Sequence, residues 1–343
     1  MKVSDFDYAL PPELIAQKPL PSREDSRMMV LDRRTGNISH EQFRALSDFV
    51  KSGEVLILND SRVIPARIWG KIADKKIEFL FLHEVQKATW EVLCRPAKRV
   101  RPGDKVDFGT GFNGIVLDKA EEGKRILRFS NSDVLTELKK RGYAPLPPYI
   151  KRRLAHEDLR SLDIERYQTV FAQKEGSIAA PTAGLHFTSG LIEQLQKNGV
   201  KIGHISLHVG LATFQPVRAD LVEDHEMLEE HYSIDPKTAD IINQAKAQGR
   251  TITAVGTTSV RTLESAVAGG HVKAGKDSTQ MFIYPGYEFK VIDRLLTNFH
   301  LPQSTLLMLV AAFAGYEFIM EAYREAVKQQ YRFFSYGDCM FII

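Results

Sequence analysis

Five of the ten histidines fall between His186 and His231. Imidazole changes charge near neutral pH, so a crowd of this kind suits proton transfer or a polar, hydrogen-bonded site. Read as a strand, residues 200–209 place His204, Ser206 and His208 on one face and Ile205, Leu207 and Val209 on the other. The His204-x-x-x-His208 spacing suits zinc on a helix, but along a strand the two side chains stand about 13 Å apart, too far to share one ion. No metal site is therefore expected. Cys94 and Cys339, far apart and outside any Cys-x-x-Cys pair, form neither a thiolate site nor a disulfide framework. His186 follows the turn Pro181-Thr182-Ala183-Gly184-Leu185 just before a helical stretch, where it can serve as acid, base or cap.

A second constellation lies further on. The strand-like residues 251–255 lead through Gly256 into Thr257, Thr258 and Ser259, which open a helix carrying Arg261. Free amide N–H groups at a helix start, hydroxyls and a guanidinium suit a carboxylate or phosphate; the plainer alternative is an ordinary cap with Arg261 on the surface. Gly109-x-Gly111-x-x-Gly114 matches the dinucleotide fingerprint by letter but joins two strand-like stretches, so a glycine-rich hairpin loop is expected rather than a pyrophosphate cradle.

The elements that must position these residues change character along the chain. Ser39-x-x-Gln42 reads as a capping box ahead of a helical stripe of Phe43, Leu46, Phe49 and Val50, and residues 54–59 read as a strand. Residues 68–129 hold five or six short strand-like runs (77–82, 90–93, 105–108, 114–118, 124–129) and no helix, the pattern of a small barrel. A helix over 133–141 ends at Gly142 and meets the stiff connector Pro145-Leu146-Pro147-Pro148. The remainder alternates: helix 188–198, strand 200–209, helix 236–248 with Asp235 as cap and Pro236 at its first position, strand 251–255 and a helix, strand 280–284, and helices from Ser304 to about Tyr331. The fold class expected is an α/β core, residues 1–67 and 150–343, interrupted by a β-barrel domain over 68–149.

Composition bounds the function class. The 343 residues suit about two domains, and 43% apolar with 26% charged residues is ordinary for a globular protein. The longest apolar run, residues 306–314, is about half of a membrane span, and the acidic start Met1-Lys2-Val3-Ser4-Asp5 is unlike an export signal, so a cytoplasmic protein without a membrane partner is expected. Net charge is only +3, yet residues 95–153 carry +8 and the remainder −5. The excess clusters in Lys98-Arg99-Val100-Arg101, Lys139-Lys140-Arg141 and Lys151-Arg152-Arg153, either a footprint for a phosphate backbone or a solvated surface.

Several longer stretches carry a resemblance. They are Tyr167-Gln168-Thr169-Val170-Phe171-Ala172, Ala179-Ala180-Pro181-Thr182-Ala183-Gly184-Leu185-His186-Phe187-Thr188, His208-Val209-Gly210-Leu211, Gly256-Thr257-Thr258-Ser259-Val260-Arg261-Thr262-Leu263-Glu264 and Thr297-Asn298-Phe299-His300-Leu301-Pro302. Together with Leu14-Ile15-Ala16-Gln17, Asn59-Asp60-Ser61-Arg62 and Tyr331-Arg332-Phe333-Phe334-Ser335-Tyr336-Gly337-Asp338, they resemble the S-adenosylmethionine:tRNA ribosyltransferase-isomerase family of queuosine biosynthesis over nearly the whole chain. The chain departs from that pattern at Ser61 (usually Thr), Ala212 (Gly), Gln215 (Arg) and Leu228 (His). The resemblance implies an α/β core with a β-barrel insert. It also implies transfer of the ribosyl part of S-adenosylmethionine to the aminomethyl group of a 7-deazaguanine at the tRNA wobble position, giving epoxyqueuosine with release of adenine and methionine.

That chemistry assigns roles as expectations. The sulfonium acidifies the adjacent ribose C5′ proton, for which His208, His186 or Glu230 is the candidate base. His300, Asn298 or Arg62 is placed to meet the charge developing on departing adenine. Thr257, Thr258, Ser259 and Arg261 suit the methionine carboxylate, and Leu228 is expected to pack in support. Lys98, Arg99, Arg101, Lys139, Lys140, Arg141 and Arg152 are the expected tRNA contacts. No cofactor is needed, since S-adenosylmethionine is a consumed substrate, and a monomer is the default expectation. A tRNA-binding protein without catalysis would explain the basic stretch but not the histidine-lined strand; a metal-free hydrolase would explain the strand but not the +8 region.

Overall fold

The computed structural model describes residues 1–120, 123–130, 133–152, 158–210 and 217–343. Leu211, Ala212, Gln215 and Arg153, singled out above, lie outside them. A nine-stranded mixed sheet runs in the order Gly275–Thr279, Glu230–Ile234, Lys201–Leu207, Val55–Asn59, Ile252–Val255, Arg294–Asn298, Cys339–Ile342, Arg27–Asp32, Asn37–Gln42. The four central strands, from Lys201–Leu207 to Arg294–Asn298, are mutually parallel. Every residue of Val55–Asn59 is buried, as expected of a strand covered on both faces. One face packs under helices Pro236–Ala247, Thr257–Ser265, Thr305–Ala314 and Tyr316–Lys328, the other under Phe43, Leu46 and helix Ser189–Lys197.

The expected barrel is present and closed. Six antiparallel strands, Arg67–Ile72, Lys75–Gln86, Thr89–Arg95, Lys105–Asp107, Asn113–Lys119 and Lys124–Phe129, form it. Its interior is aromatic: Phe79, Phe81, Phe108, Phe112 and Phe129 are buried, and the rings of Phe112 and Phe129 stack at 4.9 Å. Gly109 and Gly111 have positive φ (+91° and +80°) in the loop joining two barrel strands, which makes the fingerprint look-alike a hairpin loop. Asp133, Thr188 and Asp235 cap the helices that follow them by accepting from the N–H groups of Thr136, Leu191 and Thr238.

Three local readings are corrected, and a fourth is refined. Ser39 and Gln42 are not a capping box: residues 37–42 form an edge strand paired with Arg27–Asp32, and only a 3₁₀ turn and the short helix Leu46–Phe49 follow. Hairpin pairing, with Val30 opposite Ser39, outweighs the local cap. Residues 280–284 form no strand; the chain pairs earlier, over Gly275–Thr279. The strand expected to reach Val209 stops at Leu207. The last helical stretch breaks at Gly315 (φ +95°) into two helices bent by 116°; no single helix among the described residues is long and apolar enough to cross a membrane.

Candidate active site

The four parallel strands end on the same side of the sheet, where ligands of open α/β sheets sit. The segments leaving three of those ends build a narrow cleft between them. Thr257, Thr258, Asn298 and His300 line it, with Tyr149 and Ser335 across from them. Gly256 has φ +84°, a turn open to a residue without Cβ, and so delivers Thr257 and Thr258 to the cleft as the first residues of their helix. Asn59, buried at the end of the central strand, donates to Thr258 Oγ1 at 3.2 Å and to Leu207 O at 3.1 Å, and its Oδ1 accepts from Leu207 N at 3.2 Å and Ser61 N at 3.1 Å. One amide thereby ties three segments of the rim.

Asn298 lines the cleft and donates to the carbonyls of Phe334 (3.0 Å) and Asp338 (3.4 Å), while its side-chain oxygen faces the buried ring of His186 and favours the protonated form of that ring. His300 is buried, with Nε2 at 2.9 Å from Thr297 Oγ1; its backbone N–H donates to Tyr323 Oη at 2.9 Å and its carbonyl accepts from Tyr8 Oη at 2.5 Å. Burial lowers its pKa to about 3, so the ring is neutral at pH 7 and suited to hydrogen bonding rather than proton abstraction. The Oη of Tyr149 lies 2.7 Å from Ser335 Oγ.

The other proposed residues are placed differently. His186 sits behind the cleft in a smaller one lined by Arg23, Arg166 and Ser26, which meets the first at Ser335. Its Nδ1 is 2.7 Å from Ser26 Oγ, and its pKa is lowered to about 4 by burial, against which Asn298 acts, with Arg23 and Arg332 adding to the lowering. His208 lines a recess at the sheet edge with Lys174, His231 and Lys276, while its neighbour Val209 lines the cleft. Burial lowers the pKa of His208, Asp60 opposes that, and Lys174 and His231 reinforce it. Ser206 gives its hydroxyl to Asp60 and is buried, so the expected polar face of the strand is turned inward.

Ser259 is fully buried and donates to Val255 O at 2.7 Å, outside the cleft lining. Arg261 does not converge on the helix start: Nε donates to Met281 O at 2.9 Å and Nη1 pairs with Glu230, both side chains being buried. Glu230 also accepts from Gly210 N at 3.2 Å, which engages its oxygens in structure. Arg62 is exposed and donates to Ala172 O at 2.6 Å. Leu228 is 49% exposed, so the packing expected of it is not found.

The basic clusters divide likewise. Lys139 pairs with Glu175 at 2.8 Å; Lys140 and Arg141 pair with Glu137 at 3.2 and 2.7 Å; Arg152 grips Asp163 through two bonds of 2.7 and 2.9 Å. Lys98, Arg99 and Arg101 are exposed. Their loop is pinned by buried Arg125, whose Nε and Nη2 donate to Val100 O at 2.9 Å and Ala97 O at 2.6 Å. Sequence reasoning assigned no role to Asn59, Tyr149 or Ser335. A signal was present in the first, a lone amide closing an all-apolar strand.

Residues 3–342 match the model of a family described as queuosine biosynthesis protein. Relatives named S-adenosylmethionine:tRNA ribosyltransferase-isomerase are 51% identical in Halothermothrix orenii and 48% identical in Thermotoga maritima, each aligned over 100% of both chains. A crystal structure titled S-adenosylmethionine tRNA ribosyltransferase, from Thermotoga maritima, is 39% identical, covers 99% of this chain and 100% of its own, and superposes with a TM-score of 0.56. With strand ends, cleft and barrel arranged as the motifs required, the chain belongs to the queuosine biosynthesis protein family.

Proposed function

We propose that this chain is an S-adenosylmethionine:tRNA ribosyltransferase-isomerase. It moves the ribosyl moiety of S-adenosylmethionine onto the aminomethyl group of 7-aminomethyl-7-deazaguanine at the tRNA wobble position, forms epoxyqueuosine and releases adenine and methionine. The observation that carries this is end-to-end similarity to relatives so named, at 51% identity without a gap in coverage at either end. The geometry supports it. The cleft offers neutral His300 as a hydrogen-bond partner for a departing base, the Asn298 amide beside it, and the hydroxyls of Thr257 and Thr258 at a helix start for the methionine carboxylate. The sulfonium lowers the pKa of the C5′ proton, and a base removes it; the bond from ribose C1′ to adenine breaks and adenine leaves with a proton, the neutral amine loses a proton as it forms the new C–N bond to the ribosyl carbons, and the C5′–S bond breaks to release methionine as the epoxide closes. His300 and His186, both buried neutral, favour positioning. His208 is the less enclosed imidazole, and we retain it as the candidate base.

The division of labour follows the architecture: residues 1–67 and 150–343 carry the cleft, to which Tyr149 at the end of the insert adds its ring, and 68–149 the barrel with the exposed Lys98, Arg99 and Arg101. A cytoplasmic monomer is the reading for a chain that acts on tRNA and has its cleft built from its own elements. The test is to incubate protein, S-adenosylmethionine and tRNA bearing the 7-aminomethyl base. Adenine and methionine should appear in equal amounts with a mass gain on the tRNA. Methylated tRNA with S-adenosylhomocysteine would overturn the reaction.

A further inference from the structure

A groove of about 2000 Å³ separates the barrel from the α/β core. Arg67, Arg95, Lys124, Lys151, Arg152 and Arg218 line it, against a single acid among the described residues, Glu78. Arg67 pairs with Glu78, Lys124 with Glu91 and Arg152 with Asp163. With these three pairs set aside, Arg95 and Lys151 carry the uncompensated charge that the proposal uses. Arg95 and Lys151 are exposed, and neither side chain has an ion-pair partner among the described residues. Between these cations the floor is apolar, with Leu80, Leu93, Ile150 and Ile178 and the rigid Pro147-Pro148 pair. Residues 145–152 form one lip of the groove, and Tyr149, in the middle of that lip, faces the cleft.

We infer that this groove binds a single-stranded RNA loop, with phosphates on the Arg95 and Lys151 rim and unstacked bases over the apolar floor, next to the cleft that takes the reacting base. This rests on the proposed tRNA substrate and moves the main contact surface away from the ion-paired Lys139, Lys140 and Arg141 positions. A duplex hides its bases and would meet only the rim, whereas an opened loop satisfies both materials of the groove.

The test measures binding of an anticodon stem–loop RNA, and of the same stem as a blunt duplex, over a series of salt concentrations. Arg95→Gln/Lys151→Gln should weaken stem–loop binding about tenfold or more and make the log–log salt slope shallower by about 1.4, two contacts at about 0.7 each. Duplex binding should change less than about threefold. Lys75→Gln/Lys105→Gln, the same charge change on exposed barrel positions outside the groove, should leave both alike, and thermal melts confirm folding. Equal losses for both double variants, equal losses for loop and duplex, or wild-type binding by the groove variant would overturn the proposal, the last assigning the groove to another partner such as an acidic protein. Adenine release by the wild-type protein is scored in parallel. Release with an indifferent groove variant overturns the groove alone, and a groove-dependent RNA complex without release overturns the reaction alone.

Discussion

Residues 145–152 border two cavities that handle charge in opposite ways. In the cleft, the titratable groups are buried and neutral, and recognition falls to an amide, two threonine hydroxyls and an imidazole. In the groove, guanidinium and ammonium groups stand toward solvent over an apolar floor. Arg261, carried by the cleft helix, is folded onto Glu230 as a buried pair. Low dielectric explains the contrast: an unpaired charge costs too much in an enclosed cleft, while an open groove keeps its cations hydrated until a phosphate displaces water. A small ligand and a polyanion are thus read by different physics within one chain.

The largest expected effect tests whether the buried pair is scaffold or chemistry. Glu230→Ala leaves Arg261 uncompensated in the interior and should lower stability by about 3–5 kcal/mol in denaturant melts. Glu230→Gln, assayed on the folded fraction, should keep turnover within about tenfold. A drop of about 10²-fold or more without a stability change would make Glu230 the base and break the contrast.

Asn298→Ala removes an amide that lines the cleft and bridges it to His186. It should lower kcat/KM for S-adenosylmethionine about 10²-fold, with the RNA salt slope untouched. His208→Ala, measured in single turnover, sharpens the picture: a loss of about 10²- to 10⁴-fold would join the sheet-edge recess to the cleft as one site, and an indifferent result would remove His208 from the chemistry.

A smaller effect comes from pH. His186 and His300 have folded pKa values lowered to about 4 and about 3, below the roughly 6.5 of an unfolded chain. Between those values the unfolded chain binds more protons, so stability is unaffected above about pH 6.5 and falls as pH drops below it. Each ring accounts for up to about 1.4 kcal/mol per pH unit. His300→Asn should flatten the decline measured between pH 6 and 4; an unchanged slope would mean that His300 is hydrated. The smallest effect is expected from Lys139→Gln/Lys140→Gln, whose ion pairs are exposed: within about 1 kcal/mol in stability and about threefold in stem–loop affinity.

Much of the fold was legible because its signals are local. Period-two alternation and turn glycines mark the barrel strands, and Asp133, Thr188 and Asp235 mark helix starts through bonds spanning three residues. The readings that failed concern pairing at a distance. Residues 37–42 carry a plausible cap, but the neighbour available across the hairpin is what makes them a strand; residues 280–284 look more strand-like than residues 275–279, yet only the latter meet Glu230–Ile234.

For the candidate site, the residue types alone determined that small hydroxyls follow Gly256, that Asn298 and His300 share one turn, that histidines crowd residues 186–231 and that cations crowd residues 95–153. Which of them share a cavity was decided by the tertiary structure. Strands from residues 55, 252 and 294 end side by side, so Asn59 can hold Thr258 and Asn298 can face the same space, while His208 turns to the sheet edge and Arg261 to Glu230. The reason is physical: sequence spacing sets which face of an element a side chain occupies, whereas strand order and burial set what that face meets and whether a charge is paired, neutralised or left to water.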